Sequence, residues 1–376
     1  MRYLFWLQVL IVVHVWVGYI ILLKILSIFL KREVNLEGPL PGVTVLLTVH
    51  NEEKLVESRI KNLLDSQYPR ELLEILVASD GSTDATDHLV SSLSLTDHRI
   101  KLFATQGGGK SFTQNQAIPR AHNEIVLLTD GSTTFEPHAI KGLVRHFNDE
   151  SVGCVTGRCL LREKDNSISA SHSIYWKAEM LIRRLESSIG TLHTASGQFM
   201  AFRKSLFRPF SCKYGDDCII PLDILLQYFR VVHEDKLLAY EEFPSTIKGE
   251  LKARTRMTLR NLTCTLSKYP LLNPIKYPLI SLSIFSHKLL RWLTPFFLLA
   301  IFISNLLLVG ESSIYPLTLW AQLIFYALGL IGLIGEQRGH RLPLASLVFS
   351  FLLANLGFFL GVINAIIGKE ITSYET

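Results

Sequence analysis

Apolar residues crowd the two ends of the chain and form short, spaced runs between them. Residues 3–30 make one apolar stretch, broken only by Gln8, His14 and Lys24. A membrane span needs about 20 apolar residues, so this stretch is long enough with tilt to spare. Lys31 and Arg32 follow it, and no small-residue cleavage pattern ends it, which predicts a retained span rather than a removed leader. Lys24 is expected to snorkel toward the Lys31 end, and His14 to be satisfied by a neighbouring helix. Three further candidate spans lie near 289–309, 315–335 and 343–367. Between 270 and 287, Pro270, Pro274 and Pro278 read as a broken, interfacial connection. Lys and Arg flank the runs at 31–32, 288–291 and 338–341 but are missing from 310–314. That asymmetry predicts four spans with both termini outside and residues 33–285 in the cytosol; Lys369 opposes it weakly.

The middle reads differently. Val43–Asn51 is a continuous apolar run ending in a polar tip, the mark of a buried parallel strand. A helical stretch follows over 52–66, and the alternation repeats. Strands are predicted at 74–80, 100–105 and 124–130. The first of these leads to a helix capped by Thr83 or Asp84, the second to a short helix after the glycines at 107–109, and the third to a helix starting at Pro137. Strands at 152–161, 197–203 and 231–240 and helices at 171–188 and 217–229 complete the unit. Strand and helix alternate, so the expected class is α/β with a doubly wound, mostly parallel sheet. In such sheets ligands bind beyond the carboxyl ends of the strands. Those ends carry His50, Asn51, Glu52, Asp80, Lys110 and Asp130.

Composition fits this division. The chain has 376 residues, 48% apolar and only 19% charged, and its mean hydropathy of +0.29 averages two unlike parts. A net charge of +5 suits a membrane surface and is too small to argue for nucleic acid. Five scattered cysteines without a CxxC pair read as reduced thiols. The expected divisions are 1–32 as a membrane helix, 33–247 as the cytosolic domain, 248–287 as an amphipathic helix and connection, and 288–376 as the C-terminal membrane region. Over 248–268, Lys248, Lys252, Arg256 and Arg260 recur every four residues on one face, which predicts a helix lying on the membrane.

Two nucleotide folds are excluded by particular residues. The turn after the first strand, Val49 to Glu52, has no glycine, so it is not a dinucleotide fingerprint. Gly107-Gly108-Gly109-Lys110-Ser111 imitates a P-loop, but position 104 is Ala104. Glycines before a lysine at a helix start still suit a phosphate cradle.

Seven motifs occur in order: HNEE at 50–53, VASDGSTDAT at 77–86, GGGKSFTQNQA at 107–117, LLTDGST at 127–133, SGQFMAFRK at 196–204, GDD at 215–217 and KARTRMTLR at 252–260. Together they resemble membrane-bound family 2 glycosyltransferases, of the cellulose and hyaluronan synthase-like superfamily, over nearly the whole chain. The resemblance implies a GT-A nucleotide-sugar domain and inverting transfer from a nucleotide diphosphate sugar. It places Asp130 at the first position of the family's DxD, holding Mg²⁺ or Mn²⁺. The third position is Ser132, a departure from the pattern. It assigns Glu52 and Asp80, beside His50, to the donor nucleoside and Lys110 to phosphate or base. Asp217 aligns with the base that deprotonates the acceptor, with Asp216 as a supporting or alternative carboxylate. Arg254 or Arg256 is expected at the pyrophosphate. The QxxRW motif of processive synthases is missing, which speaks for single addition. His233 is a secondary metal-ligand candidate.

The implied partners are a nucleotide-sugar donor, expected to be a UDP-sugar, a lipid-linked or glycan acceptor and the bilayer, with oligomerisation left open. The residues also leave room for a second class, an inactive homologue serving as an assembly subunit of a polysaccharide synthesis or export complex.

Overall fold

The computed structural model describes residues 1–162, 169–242, 246–340 and 342–370. Arg341, one of the orienting charges, lies outside them. The chain opens with helix α1 (Arg2–Leu30), apolar and long enough to cross a membrane. The α/β unit then runs through β1 (Val43–Val49), α2 (Val56–Leu64), β2 (Leu73–Asp80), α3 (Thr86–Thr96), β3 (Ile100–Thr105), α4 (Lys110–Ala117), β4 (Ile125–Asp130) and β5 (Thr134–Phe135). It continues with α5 (Ala139–Val144), β6 (Val152–Arg162), α6 (Ser169–Ile189), β7 (Met200–Arg203), α7 (Asp216–Leu226) and β8 (Arg230–Glu242). Helix α8 (Ile247–Ser267) leads to three more span-length helices, α9 (Pro278–Leu308), α10 (Ile314–Gln337) and α11 (Pro343–Ile366).

Eight strands form one sheet in the order β3-β2-β1-β4-β7-β6-β8-β5. β1 lies between β2 and β4 and is parallel to both. Every residue of β1 is buried, as its unbroken apolar run requires. The expected parallel sheet is only part of the whole. β7 runs antiparallel between β4 and β6, and β5 pairs antiparallel with β8. Periodicity shows that a strand exists but carries no direction. Apolar cores cover both faces, one under α2 and α5 and the other under α4 and α7.

The prolines before α9 do not break it. Pro278 opens the helix at its first position, where the missing N–H costs nothing. The helix then passes through a π-turn at Ile284–Leu289. A second π-turn, His14–Gly18, interrupts α1, and the two turns meet where His14 Nε2 lies 3.0 Å from Ser286 Oγ. His14 is thus the satisfied interhelical histidine the sequence suggests.

Membrane helices and α/β unit are joined by a buried ionic network centred on α6. Glu186 Oε1 accepts from Tyr19 of α1 (2.8 Å) and from Ser283 (2.6 Å), and faces His287 Nδ1 (2.9 Å) on α9. His287 Nε2 lies 3.1 Å from Glu179 Oε2, which also pairs with Arg291 at 2.7 Å. Burial alone would raise the Glu186 carboxyl, but His287, His193 and the donated hydrogen bonds outweigh it and bring it down to about 2. Ligand atoms of Glu186, His193 and His287 lie within 4.8 Å of one another, a spacing that suits a metal ion. His287, however, faces a carboxylate from both ring nitrogens. Both of its ring nitrogens are thus already taken up by carboxylates. The cluster is therefore read as an ion-pair lock.

Removing one partner of such a buried pair costs about 3–5 kcal/mol. Glu186→Ala is expected to lower the thermal unfolding midpoint of the purified protein by several degrees. Because folding depresses this carboxyl, its contribution is complete above the unfolded value of 4.5 and fades as pH falls toward about 2. The variant's deficit should therefore shrink below pH 4.5.

Helix α8 lies along α11. Cβ atoms built at Gly357 and Gly361 would stand 2.8 Å from Arg254 Cβ and 2.5 Å from Thr258 Cβ. Only glycine allows this approach.

Candidate functional site

The carboxyl ends of β1, β2 and β4 and the start of α7 open onto one cleft. Its lip is cross-braced. Asn51, at φ 55, accepts at Oδ1 from the Thr83 N–H (2.7 Å). Glu52 N donates to Thr86 (2.9 Å), and His50 Nδ1 lies 2.8 Å from the Asp80 carbonyl. Gly81, at φ +64, lets the glycine loop pass: a Cβ there would meet Gly107 N at 2.8 Å. Asp80 Oδ1 accepts from Gly109 N (3.1 Å) and Thr113 Oγ1 (2.8 Å), so it fastens the loop to the end of β2.

That loop delivers Lys110 to the floor of the cleft. Its ammonium sits between two carboxylates, 2.7 Å from Asp130 Oδ1 and 3.1 Å from Asp216 Oδ2. Asp216 is held further by Gln114 Nε2 (2.9 Å), and its other oxygen accepts from Asp217 N (3.0 Å). Asp217, next along α7, points elsewhere: its carboxylate lies toward Gly215 and Asn261. Burial, then the charge of Asp216, push the Asp217 carboxyl above its ordinary value, although Arg260, Lys110 and Arg183 pull the other way.

Several carboxylates share this field. Burial raises Asp130, and Asp216 adds to the rise against Lys110 and Arg59. Glu52 is raised by burial, Asp84 and Asp130, and Glu241 by burial and Asp130. Glu241, on β8, is held by Gln198 at 2.9 Å. Ser132 is exposed at the rim. A cleft of mutually repelling carboxylate oxygens has the hard donor set that Mg²⁺ or Mn²⁺ prefers. Asp130 is the carboxylate at the centre of this field, Glu52 and Glu241 feel its charge, and the Ser132 backbone follows it by two residues.

Arg254 pairs with Glu250 (2.7 Å), and Arg256 lies half-buried on the same helix. Arg260 of that helix reaches the cleft wall. It donates to the Tyr214 carbonyl and approaches Ser111 Oγ (3.5 Å) and the Cys212 carbonyl (3.4 Å). His233 is buried against Asp235 (3.2 Å), apart from the cleft. Sequence reasoning gave no role to Arg59 or Glu241. Arg59 is 1% exposed. It reaches under the site to Thr129 Oγ1 (2.8 Å) and the Asp130 carbonyl (3.4 Å), with Phe135 at 4.4 Å. Burial lowers its guanidinium to about 9. The signal was an arginine on the buried stripe formed by Val56, Ile60 and Leu63.

Known proteins resemble this chain in sequence and in fold. The family described as Glycosyltransferase like family 2 matches residues 41–259. Poly-beta-1,6-N-acetyl-D-glucosamine synthase of Staphylococcus aureus (strain COL) is 27% identical over 234 residues, 60% of this chain and 56% of the relative. The synthase of the same name from Staphylococcus epidermidis is 25% identical over 294 residues, 76% and 70% of the two chains. This chain thus spans little more than half the length of the Staphylococcus aureus relative. Among solved structures, the mannosyltransferase PcManGT from Pyrobaculum calidifontis, in complex with GDP-Man and Mn2+, superposes with a TM-score of 0.72 and 19% identity. The match covers 96% of this chain and 99% of that one. At that identity the likeness speaks for the fold alone, a GT-A core with membrane helices.

Proposed function

From the premise that this chain belongs to glycosyltransferase family 2, we propose that it is a membrane-bound inverting transferase. It moves a sugar from a nucleotide diphosphate donor, a UDP-sugar, to a lipid-linked or glycan acceptor. The reaction takes place at the cytoplasmic membrane face, in cell-envelope or exopolysaccharide biosynthesis. Four span-length helices and the relatives named poly-beta-1,6-N-acetyl-D-glucosamine synthase support the setting. The observation that carries the reading is Lys110, held between Asp130 and Asp216 under the glycine loop. A cation on a short helix at the carboxyl edge of a parallel sheet suits a diphosphate.

In this reading His50, Glu52 and Asp80 line the nucleoside side of the cleft, and Lys110 meets the phosphates. Asp217 takes the proton from the acceptor hydroxyl as its oxygen attacks the anomeric carbon. The bond from that carbon to the phosphate oxygen breaks, and the nucleoside diphosphate leaves. Asp216 orients the start of α7, and Arg260 braces the wall that Arg254 and Arg256 extend. A divalent ion on Asp130, with Glu52, Glu241 and Ser132 near it, would offset the charge developing on the leaving diphosphate.

Release of UDP from UDP-GlcNAc by the purified full chain is expected to require Mg²⁺ or Mn²⁺ and to stop with EDTA. GDP-mannose serves as the contrasting donor. Ser132 at the DxD position, and Lys110 already paired with Asp130, favour one other reading, an inactive assembly subunit. Absence of release from every nucleotide sugar, with either metal and a lipid extract as acceptor, would turn the assignment to that class.

A further inference from the structure

A cavity of ≈ 250 Å³ opens where α1 leaves and α9 enters the apolar region. Arg32, Arg230 and Lys276 line it, and among the described residues no carboxylate does. Its remaining wall combines tyrosines and apolar side chains, among them Tyr228, Tyr277 and Leu279. Gly190, at φ +77, leaves open a space between two guanidiniums. A Cβ built there would lie 3.9 Å from Arg32 Nη1 and 4.0 Å from Arg230 Nε.

Arg230 is 8% exposed. Its terminal nitrogens donate to the Arg32 (3.1 Å) and Glu33 (3.3 Å) carbonyls, and Asp149 stands 3.7 Å away. Its Nε is buried and has no partner among the described residues. An orphan charged donor of this kind is costly unless something accepts from it. The neighbouring charge of Arg32 makes the site still more demanding, because the two cations repel. Burial chiefly, and that repulsion after it, lower the Arg230 guanidinium against the pull of Asp149.

The surroundings fix the depth of the cavity. Tyr228 is 72% exposed and Ile275 92% exposed beside it. Tyr228 also holds φ 66, a left-handed backbone that a bulky residue rarely takes without reason. Lys276 sits 5.5 Å over the Tyr277 ring, and the Tyr228 and Tyr277 rings stack at 5.8 Å. An exposed tyrosine and an exposed isoleucine next to the ends of two spans belong at headgroup level.

We propose that this cavity binds the phosphate of an anionic phospholipid headgroup, between Arg32, Arg230 and Lys276, as a lipid site separate from the catalytic cleft. Helix α7 runs between the two: Asp216 starts it at the cleft, and Leu225 near its end lines the cavity. Eleven residues at 1.5 Å each put them roughly 15 Å apart. The glycerol and first acyl carbons would lie on Leu279 and Ile280, continuous with the apolar surface of α9.

The test uses the full chain purified in detergent, with binding followed by native mass spectrometry and thermal shift. The probes are dioctanoyl-phosphatidylglycerol, dioctanoylglycerol and inorganic phosphate. The phosphatidylglycerol is expected to bind saturably, the phosphate-free lipid not at all, and inorganic phosphate at least tenfold more weakly. The double variant Arg32→Gln/Lys276→Gln should bind the phospholipid about 30-fold more weakly, about fivefold for each lost charge. Its basal UDP release should be unchanged, since neither residue is in the cleft. Arg230 is left in place because it holds the Arg32–Glu33 backbone. Equal binding of dioctanoylglycerol, or undiminished binding by the double variant, would overturn the proposal. Inorganic phosphate binding as tightly as the lipid would make the ligand a free anion and overturn the lipid assignment.

Discussion

Asp217→Asn is expected to lower turnover by about 10²–10⁴-fold, with little change in UDP affinity. The two carboxylates at the start of α7 differ in what they already hold. Asp216 is spent on Lys110, Gln114 and the Asp217 N–H. Asp217 accepts no side-chain hydrogen bond among the described residues, and burial with the Asp216 charge keeps its carboxyl above the usual range. A base needs free lone pairs and a proton affinity above that of an ordinary carboxylate, and Asp217 has both. The sign of the pH dependence follows. The base works as the anion, so the rate should fall as pH drops through a value above about 3.9, the ordinary aspartate figure. The asparagine variant should lose that acidic limb along with its turnover. Asparagine keeps the volume, and the helix start has no side-chain capping hydrogen bond to lose, so folding is not at stake. UDP release across pH, with UDP binding measured alongside, checks both effects. An unchanged rate in Asp217→Asn together with a dead Asp216→Asn would move the base role to Asp216.

Lys110→Met should have the other large effect, a fall of about 10²–10³-fold in kcat/KM. Its ammonium, 14% exposed, screens Asp130 from Asp216. Without it two buried carboxylates face each other, and one must take up a proton or move. In the proposed mechanism the same cation meets the phosphates of the donor. The loss should therefore appear in KM and in UDP binding by calorimetry, and it should ease at low pH, where protonation relieves the repulsion. Asp217→Asn leaves UDP binding intact, so the two variants separate donor binding from proton transfer.

The sheet edge that carries the candidate site was largely legible from the chain. β1, β2 and β4 are apolar runs with polar tips, and the tips are where ligands go in this class of sheet. His50, Glu52, Asp80, Lys110 and Asp130 accordingly stand around one cleft. What could not be read was set by contacts distant in sequence. The antiparallel insertion of β7 depends on pairing with β4 and β6, which its four residues do not encode. Arg59 stands on the apolar stripe of its helix, but its partners Thr129 and Asp130 lie 70 and 71 residues further on. Residues 270–287 read as a broken connection because Pro270, Pro274 and Pro278 punctuate them. From Pro278 the chain is nevertheless helical, and it carries Ser281, Ser283, Ser286 and His287. All four are buried, and Ser283, Ser286 and His287 bond to protein rather than face lipid: Glu186, Glu179 and His14 take up their polar atoms. For α8, helical spacing marked a basic face. It did not show that Gly357 and Gly361 of α11 receive the helix, nor that Arg260 leans on the cleft wall.

The glycine seam between α8 and α11 bears on modularity. Enzymes that work at membranes are often pictured as a catalytic head on an exchangeable tether. Here the last span is the bed on which α8 rests, and α8 is what presses Arg260 against the Tyr214 carbonyl. Head and anchor therefore share one tolerance. A side chain gained on α11, buried in the membrane region and touching no substrate, would be felt at the cleft. The apolar end of this chain carries catalytic information as well as an address.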